Sequence, residues 1–248
     1  MKKTKIRLDD LVIQKGFADS KSLAQSLIIS GKIFFKEQKL SKPGYFILED
    51  SDISYRGPSH PWVSRGGIKL DHGLRVFKLK IKDKIALDIG ASTGGFSHVL
   101  LNNGAKRIYS VDVGYGQLHE KLLSNKNVIS LERTNARYLT PEDIPDNIDI
   151  LVCDVSFISL KKVLPEPIKL LSSRADLICL IKPQFEVGKK NISKGGIVRD
   201  LQIREDCCKD FKAWFETIVG FKVLNIIESP IKGPKGNTEF LICARKKL

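Results

Sequence analysis

The sequence predicts an α/β chain with a seven-stranded, mostly parallel sheet, preceded by a small α+β module. Three observations carry that prediction. From residue 84 onward, apolar runs at 84–89, 107–112, 127–131, 148–153, 175–181, 221–227 and 239–244 alternate with helical stretches, the longest near 200–219. Alternation of this kind builds a parallel sheet covered by helices on both faces. The last two runs are joined only by Ser229 to Thr238, with no room for the crossover that parallel neighbours need, so the last strand is expected to run antiparallel. Residues 55–62 contain Gly57, Pro58 and Pro61 and read as a linker between residues 1–54 and 63–248.

In the N-terminal module, Leu8, Leu11 and Val12, then Leu23, Leu27 and Ile28, recur at helical spacing. Ser20 is placed to cap the second helix and Gly31 to end it. Ile33-Phe34-Phe35 and Tyr45-Phe46-Ile47-Leu48 read as short strands, and Lys36-Glu37-Gln38-Lys39 between them lacks the Asn-Gly of a tight hairpin. After the linker, Val63-Ser64-Arg65-Gly66-Gly67-Ile68-Lys69-Leu70 is a basic, glycine-bearing entry to a helix that continues through about Phe77.

The chain has 248 residues, 42% of them hydrophobic, enough for a sizeable core. Its net charge of +14 points to a polyanionic partner. Residues 1–80 hold 16 Lys and Arg against 8 Asp and Glu, so the N-terminal third is the expected docking surface. Five cysteines without a Cys-x-x-Cys pair make neither a disulfide framework nor a zinc site, and no metal is expected. Cys153, Cys179 and Cys243 lie in apolar runs and read as buried thiols. Met1-Lys2-Lys3 leads into mixed polar residues, and no apolar run approaches the ~20 residues that span a bilayer. A cytoplasmic protein without stable membrane insertion is expected.

Strand 84–89 ends in Asp88-Ile89-Gly90-Ala91-Ser92-Thr93-Gly94-Gly95-Phe96, and a helix begins at once. Small residues there let the backbone approach a ligand, and the helix start offers free N–H groups. Asp112, at the end of the next strand, lies 22 residues beyond Gly90, where a ribose-binding carboxylate belongs. Asn135-Ala136, after the third strand, places an amide where it reads an adenine edge. Gly90-x-Ser92-x-Gly94 also matches a serine-hydrolase elbow, but no histidine lies in the last 129 residues to complete a triad. A nicotinamide-dependent oxidoreductase, an S-adenosylmethionine enzyme and a turn that merely packs stay open on the turn alone.

Four charges stand beside apolar runs or glycine turns: Lys69, Asp154, Lys182 and Glu239. Such placement is costly unless the charges are paired or used. Ligands of open parallel sheets bind beyond the carboxyl ends of the strands, where Asp154 and Lys182 fall. An antiparallel last strand starts at that same edge with Glu239, and the helix carrying Lys69 folds across the rim. One site is expected, against the alternative of two ordinary ion pairs. A lysine acting as base must give up its proton against an ordinary pKa of about 10.4, which burial and a second cation favour. Lys182 is the expected base, Lys69 the tuning cation, and the two acids hold both.

These blocks, with Val111 to Leu118, Asp154 to Leu160, Ile181 to Glu186, Lys194 to Asp200, and Ser229 to Gly233 with Gly236-Asn237, resemble the TlyA family of ribosomal RNA 2′-O-methyltransferases, also called haemolysin A. The resemblance covers nearly the whole chain. It implies a Rossmann-like class I methyltransferase of the FtsJ-like kind over 63–248, behind an S4-like RNA-binding module over 1–54. It implies S-adenosylmethionine as cofactor and a Lys-Asp-Lys-Glu tetrad on Lys69, Asp154, Lys182 and Glu239. The implied reaction is 2′-O-methylation of a cytidine in 16S or 23S rRNA on ribosomal subunits. Cofactor contacts are expected at Asp88, Gly90, Ala91, Ser92, Thr93, Gly94, Gly95, Phe96, Asp112, Asn135, Ala136 and Asp154. RNA contacts are expected at Arg7, Lys15, Lys21, Lys32, Lys36, Lys39, Arg65, Lys189 and Lys190. Residues 183–199 read as a mobile basic strip that closes on RNA. Two departures stand out: Ser97-His98 replaces the family's Thr-Asp, and Lys36-Glu37-Gln38 replaces its Val-Asn-Gly turn. The haemolysin name suggests a membrane-active alternative, which the sequence supports poorly.

Overall fold

The computed structural model describes residues 4–18, 20–57, 60–217 and 220–246. The chain divides into two compact units, Met1–Pro61 and Trp62–Leu248. Of the expected linker, Pro58 and Ser59 lie outside the described residues, as do Met1-Lys2-Lys3 and the last two positions of the expected helix 200–219.

The first unit runs β1 (Lys5–Arg7), α1 (Leu8–Gln14), α2 (Lys21–Ile29), β2 (Ile33–Phe35), β3 (Gln38–Leu40), β4 (Phe46–Leu48) and β5 (Ile53–Tyr55). Ser20 caps α2 by accepting the Leu23 N–H at 3.3 Å, and Gly31 follows the helix at φ 70°, as its sequence position predicts. Leu8, Leu11, Val12, Leu27, Ile28 and Ile33 close the core. The two expected strands are not partners: β2 pairs with β3 and β5, while β4 pairs with β1. Only two residues, Lys36 and Glu37, turn β2 into β3, and Lys36 takes φ 54°, a left-handed conformation that is costly for a residue with a Cβ.

The second unit starts with α3 (Gly66–Phe77) and continues β6 (Ile85–Ile89), α4 (Gly95–Asn102), β7 (Arg107–Val111), α5 (Glu120–Leu123) and β8 (Val128–Leu131). Next come β9 (Ile148–Cys153), α6 (Leu160–Val163), α7 (Pro165–Lys169), β10 (Leu171–Ile181), α8 (Pro183–Glu186), α9 (Leu201–Thr217), β11 (Phe221–Glu228) and β12 (Phe240–Lys246). The sheet order is β11-β12-β10-β9-β6-β7-β8, with β12 antiparallel to both neighbours. The sequence reversal between β6 and β9 opens a crevice at their carboxyl ends, the usual ligand site of such sheets.

Strand β9 is buried on both faces over its apolar run 150–153, with Asp149 half-buried before it. Ile150 and Val152 pack toward Leu70 and Leu74 of α3 and Phe96 and Val99 of α4. Leu151 and Cys153 pack toward the opposite layer, with Phe211, Trp214 and Phe215 of α9. That helix buries Cys207, Phe211, Trp214 and Phe215, one stripe at helical spacing. Burial pushes the Cys207, Cys208 and Cys243 thiols up to about 12, which keeps them protonated. Among the described residues, no helix is long and apolar enough to cross a membrane.

Candidate functional site

The four expected charges converge at the carboxyl edge of the sheet. Asp154 follows β9, Lys182 follows β10, Glu239 precedes β12 and Lys69 lies one turn into α3. Their order in space is a chain. Glu239 Oε2 accepts from Lys69 Nζ at 2.7 Å, Lys69 Nζ lies 3.6 Å from Asp154 Oδ2, and Asp154 Oδ1 lies 2.6 Å from Lys182 Nζ. Asp154 therefore stands between the two lysines. Lys182 Nζ also donates to Ser156 Oγ at 2.8 Å. Glu239 is fully buried, and Lys69 and Lys182 are 8% and 6% exposed. Two cations and two anions give this buried group no formal net charge, which limits its desolvation cost. Glu239 fits because residue 233 is glycine: a Cβ there would collide with Glu239 Oε1.

Two cavities meet at the turn after β6. One, about 480 Å³, is lined by Lys69, Asp154, Lys182, Arg65 and the turn Gly90–Thr93, and walled by Ile231 to Pro234. The other, about 520 Å³, is lined by Asp112, Asn135, Ala136 and apolar Val111, Val155 and Ile158. Gly90, Ser92, Asp154 and Ser156 border both. Both volumes fall in the range of small-ligand sites. Gly90 takes φ 77°, and a Cβ there would meet the Asp154 carbonyl at 2.8 Å, so only glycine lets the turn lie this close to β9. Asp112 is fixed by the Ser92 N–H at 2.8 Å and the Gly114 N–H at 2.7 Å, with further lone pairs left for hydroxyls. Asn135 accepts from Arg137, which caps the short turn at Ala136–Tyr138.

Two expected cofactor contacts are displaced. Asp88 lines neither cavity, because the strand pleat turns its carboxylate behind the turn to accept from Ser97 Oγ at 2.6 Å, with Ser110 Oγ 2.7 Å from Ser97. Gly94 also lines neither; it packs against Leu118 and Leu122, where a Cβ would intrude. Burial foremost, opposed by Ser97 and reinforced by the charges of Asp154 and Asp112, pushes the Asp88 carboxyl up to about 7. A folded-state value above the ordinary 3.8 means that the folded chain holds the extra proton between them. The stability that this group contributes is then fully present below about pH 4 and is lost as pH rises through 7. Asp88→Asn is expected to gain on the native protein over that window, by on the order of 4 kcal/mol. Urea midpoints of both proteins at pH 4 and pH 8 check this; equal differences at the two pH values would refute it.

The departure at Ser97-His98 has a structural account. Ser97 serves Asp88, and His98 Nδ1 accepts the Val63 N–H at 3.2 Å while the ring meets Trp62 edge-on at 5.5 Å. Burial holds His98 below its ordinary pKa and so neutral, as an accepting nitrogen must be.

The expected RNA contacts divide. Lys15, Lys36, Lys39, Lys189 and Lys190 are exposed, Lys32 is half-buried, and Arg65 lines the charged cavity. Arg7 and Lys21 are engaged: Arg7 pairs with buried Asp9 at 2.7 Å, and Lys21 with Asp10 at 2.8 Å. The Arg7 hydrogen bond holds the Asp9 carboxyl down to about 2. The strip 183–199 is structured, with α8, a 3-10 turn at Lys189–Asn191 and a bridge between Ser193 and Ile197. Sequence reading missed Ser156, which shares a block with Asp154, and Phe157, which is 89% exposed at φ 65° and packs on Phe185 at 5.0 Å.

Residues 62–246 match the model of the FtsJ-like methyltransferases. The chain is 40% identical over 240 residues to the 16S/23S rRNA (cytidine-2′-O)-methyltransferase TlyA of Mycobacterium tuberculosis, covering 96% of this chain and 89% of that one. It is 41% identical over 239 residues to hemolysin A of Brachyspira hyodysenteriae, covering 95% and 98%. A solved structure from Streptococcus thermophilus, described as a candidate hemolysin, superposes with a TM-score of 0.75 at 39% identity, covering 98% of this chain and 89% of that one.

Proposed function

The chain belongs to the FtsJ-like methyltransferase family, in its TlyA group, and from that premise we propose that it methylates the 2′-hydroxyl of a cytidine in ribosomal RNA, using S-adenosylmethionine. The observation that carries the proposal is the shared border of the two cavities: a pocket lined by Asp112 and Asn135 and the Lys-Asp-Lys-Glu chain meet at Gly90, Ser92, Asp154 and Ser156. The cofactor supplies a methyl group on a sulfonium that departs as a neutral thioether. Asp112 holds ribose hydroxyls, Asn135 faces the base, and Gly90 admits the backbone to close contact.

In the charged cavity, Lys182 Nζ first releases its own proton to solvent, and as the neutral amine it takes the 2′-hydroxyl proton while the new oxygen–carbon bond forms. Asp154, 2.6 Å away, receives the ammonium that results. Lys69 draws on the other oxygen of Asp154, and Glu239 anchors Lys69. Arg65 and the exposed lysines 189 and 190 hold phosphates, and residues 1–54 act as an S4-like RNA-binding module that adds salt-dependent affinity. The substrate is rRNA on ribosomal subunits, and the place of action is the cytoplasm.

The test is methyl transfer from labelled S-adenosylmethionine to free rRNA, to each subunit and to whole ribosomes, with nucleoside analysis of the product. Label in 2′-O-methylcytidine is expected. Label on a base, or none with any of these substrates, would count against the reading, and nicotinamide binding in a parallel titration would support the oxidoreductase alternative.

A further inference from the structure

Asn237 is 4% exposed and uses its whole amide group. Its Oδ1 accepts the Val198 N–H at 3.2 Å, and its Nδ2 donates to the Gly196 carbonyl at 2.9 Å and the Pro234 carbonyl at 3.3 Å. A backbone N–H on one side and two carbonyls on the other fix which atom is oxygen. One side chain thus grips two loops. The first is the turn Ser193–Ile197, closed by a Ser193 N–H bond to the Ile197 carbonyl at 2.8 Å, with Gly195 and Gly196 at positive φ and Lys194 exposed. The second is the wall Ile231–Pro234 of the charged cavity. The Asn237 carbonyl also accepts the Gly233 N–H at 2.8 Å, and Gly233 is the residue against which Glu239 lies. The path from the basic turn is therefore short and hydrogen-bonded as far as Gly233, which lies against the Glu239 side chain. No part of it touches a reacting atom.

We propose that Asn237 is a positioning residue, which holds the basic turn 193–197 in fixed register with Glu239 and so converts phosphate contacts on that turn into placement of the ribose hydroxyl at Lys182. The inference rests on the reading of this site as an RNA 2′-O-methyltransferase. Placement errors near 1 Å cost about 100-fold in rate, so a loose turn lowers kcat even where RNA still binds. Asn237→Asp is the sharp variant. It keeps the volume but sets a carboxylate oxygen against the carbonyls of Gly196 and Pro234.

The experiment is a double-mutant cycle between Asn237→Asp and Lys194→Ala, the lysine of that turn, with kcat and KM for the RNA substrate measured in each protein. Asn237→Asp alone is expected to lower kcat about 10- to 100-fold, with S-adenosylmethionine affinity unchanged. In the native background the lysine change raises KM and lowers kcat; in the Asn237→Asp background it raises KM only. A cofactor titration and a thermal midpoint accompany each protein, and Asn237→Ala replaces the aspartate should that variant unfold. Normal kcat in both Asn237 variants, or lysine effects on kcat that are the same in both backgrounds, would overturn the inference while leaving the function intact. Absence of transfer by the native protein would overturn the function reading itself, and this inference with it.

Discussion

Lys182→Ala is expected to lower kcat for methyl transfer by about 10²–10⁴-fold, the usual share of a general base, with cofactor affinity nearly unchanged. The separation follows from where Lys182 stands. It lines the charged cavity and not the one that holds Asp112 and Asn135, so its removal leaves that second cavity whole. The variant also leaves Asp154 with Lys69 as a remaining cationic neighbour at 3.6 Å, so the half-buried acid keeps a partner and the fold is expected to persist. Lys182→Arg is as informative. It preserves the charge beside Asp154, but a guanidinium does not release its proton, so activity should not return. Single-turnover rates and calorimetric titration of S-adenosylmethionine, run on the same preparations, check both halves. Near-normal turnover in Lys182→Ala would remove the base assignment, and a lost cofactor site would show that Lys182 binds rather than reacts.

The reason to expect so clean a division is the position of Asp154 between the lysines. In the proposed mechanism the sulfonium is positive before transfer and Lys182 after it, so positive charge would leave one side of the site as it arrives on the other. Asp154 borders both cavities and faces a cation at either stage. A fixed carboxylate serves such a step without reorganisation, because the field it supplies is already in place. Lys69 completes the arrangement beside the second Asp154 oxygen, and Glu239 anchors Lys69.

Much of this was legible in the sequence because the second unit is regular. Strand β9 matches its apolar run end to end, and the short Ser229–Thr238 connection foretold the reversed β12. Strand β10 begins at Leu171, ahead of the run that announced it, because Ser172, Ser173 and Arg174 interrupt the apolar pattern. In the first unit, β1 and β3 are three residues each, rich in Lys and Gln, and carry no alternation to read. The membership of the charged group followed from topology, since strand ends share an edge. Its internal order did not: which lysine meets which acid depends on side-chain reach. Asp88 shows the same limit. Its place at a strand end is visible, but the pleat decides whether it faces the cavity or Ser97. Asn237 stands in the sequence only as part of a block, because two of its three bonds reach the distant Gly196 and Val198.

Glu239→Ala is expected to cost about 3–5 kcal/mol of stability, the penalty for leaving a buried ion without its partner. Lys69 would keep only Asp154 at 3.6 Å, and its ammonium would remain 8% exposed beside a new void. Chemical denaturation reads the loss directly; a change below about 1 kcal/mol would mean that water enters and the pair is in effect solvated. The decisive companion is Lys69→Met with Glu239→Leu. Replacing a buried ion pair with apolar groups of similar volume is often neutral or stabilising by about 1–4 kcal/mol. This pair is suited to it, since Glu239 lies against the bare Gly233 backbone and Lys69 shares its helix with buried Leu70 and Leu74. The double variant should therefore recover the stability that Glu239→Ala loses, and yet transfer no methyl, because Asp154 then holds Lys182 without a second cation to draw on it. A protein that is stable and inactive would show that the pair is kept for its chemistry. One that is stable and active would reduce Lys69 and Glu239 to an ordinary ion pair at a sheet edge.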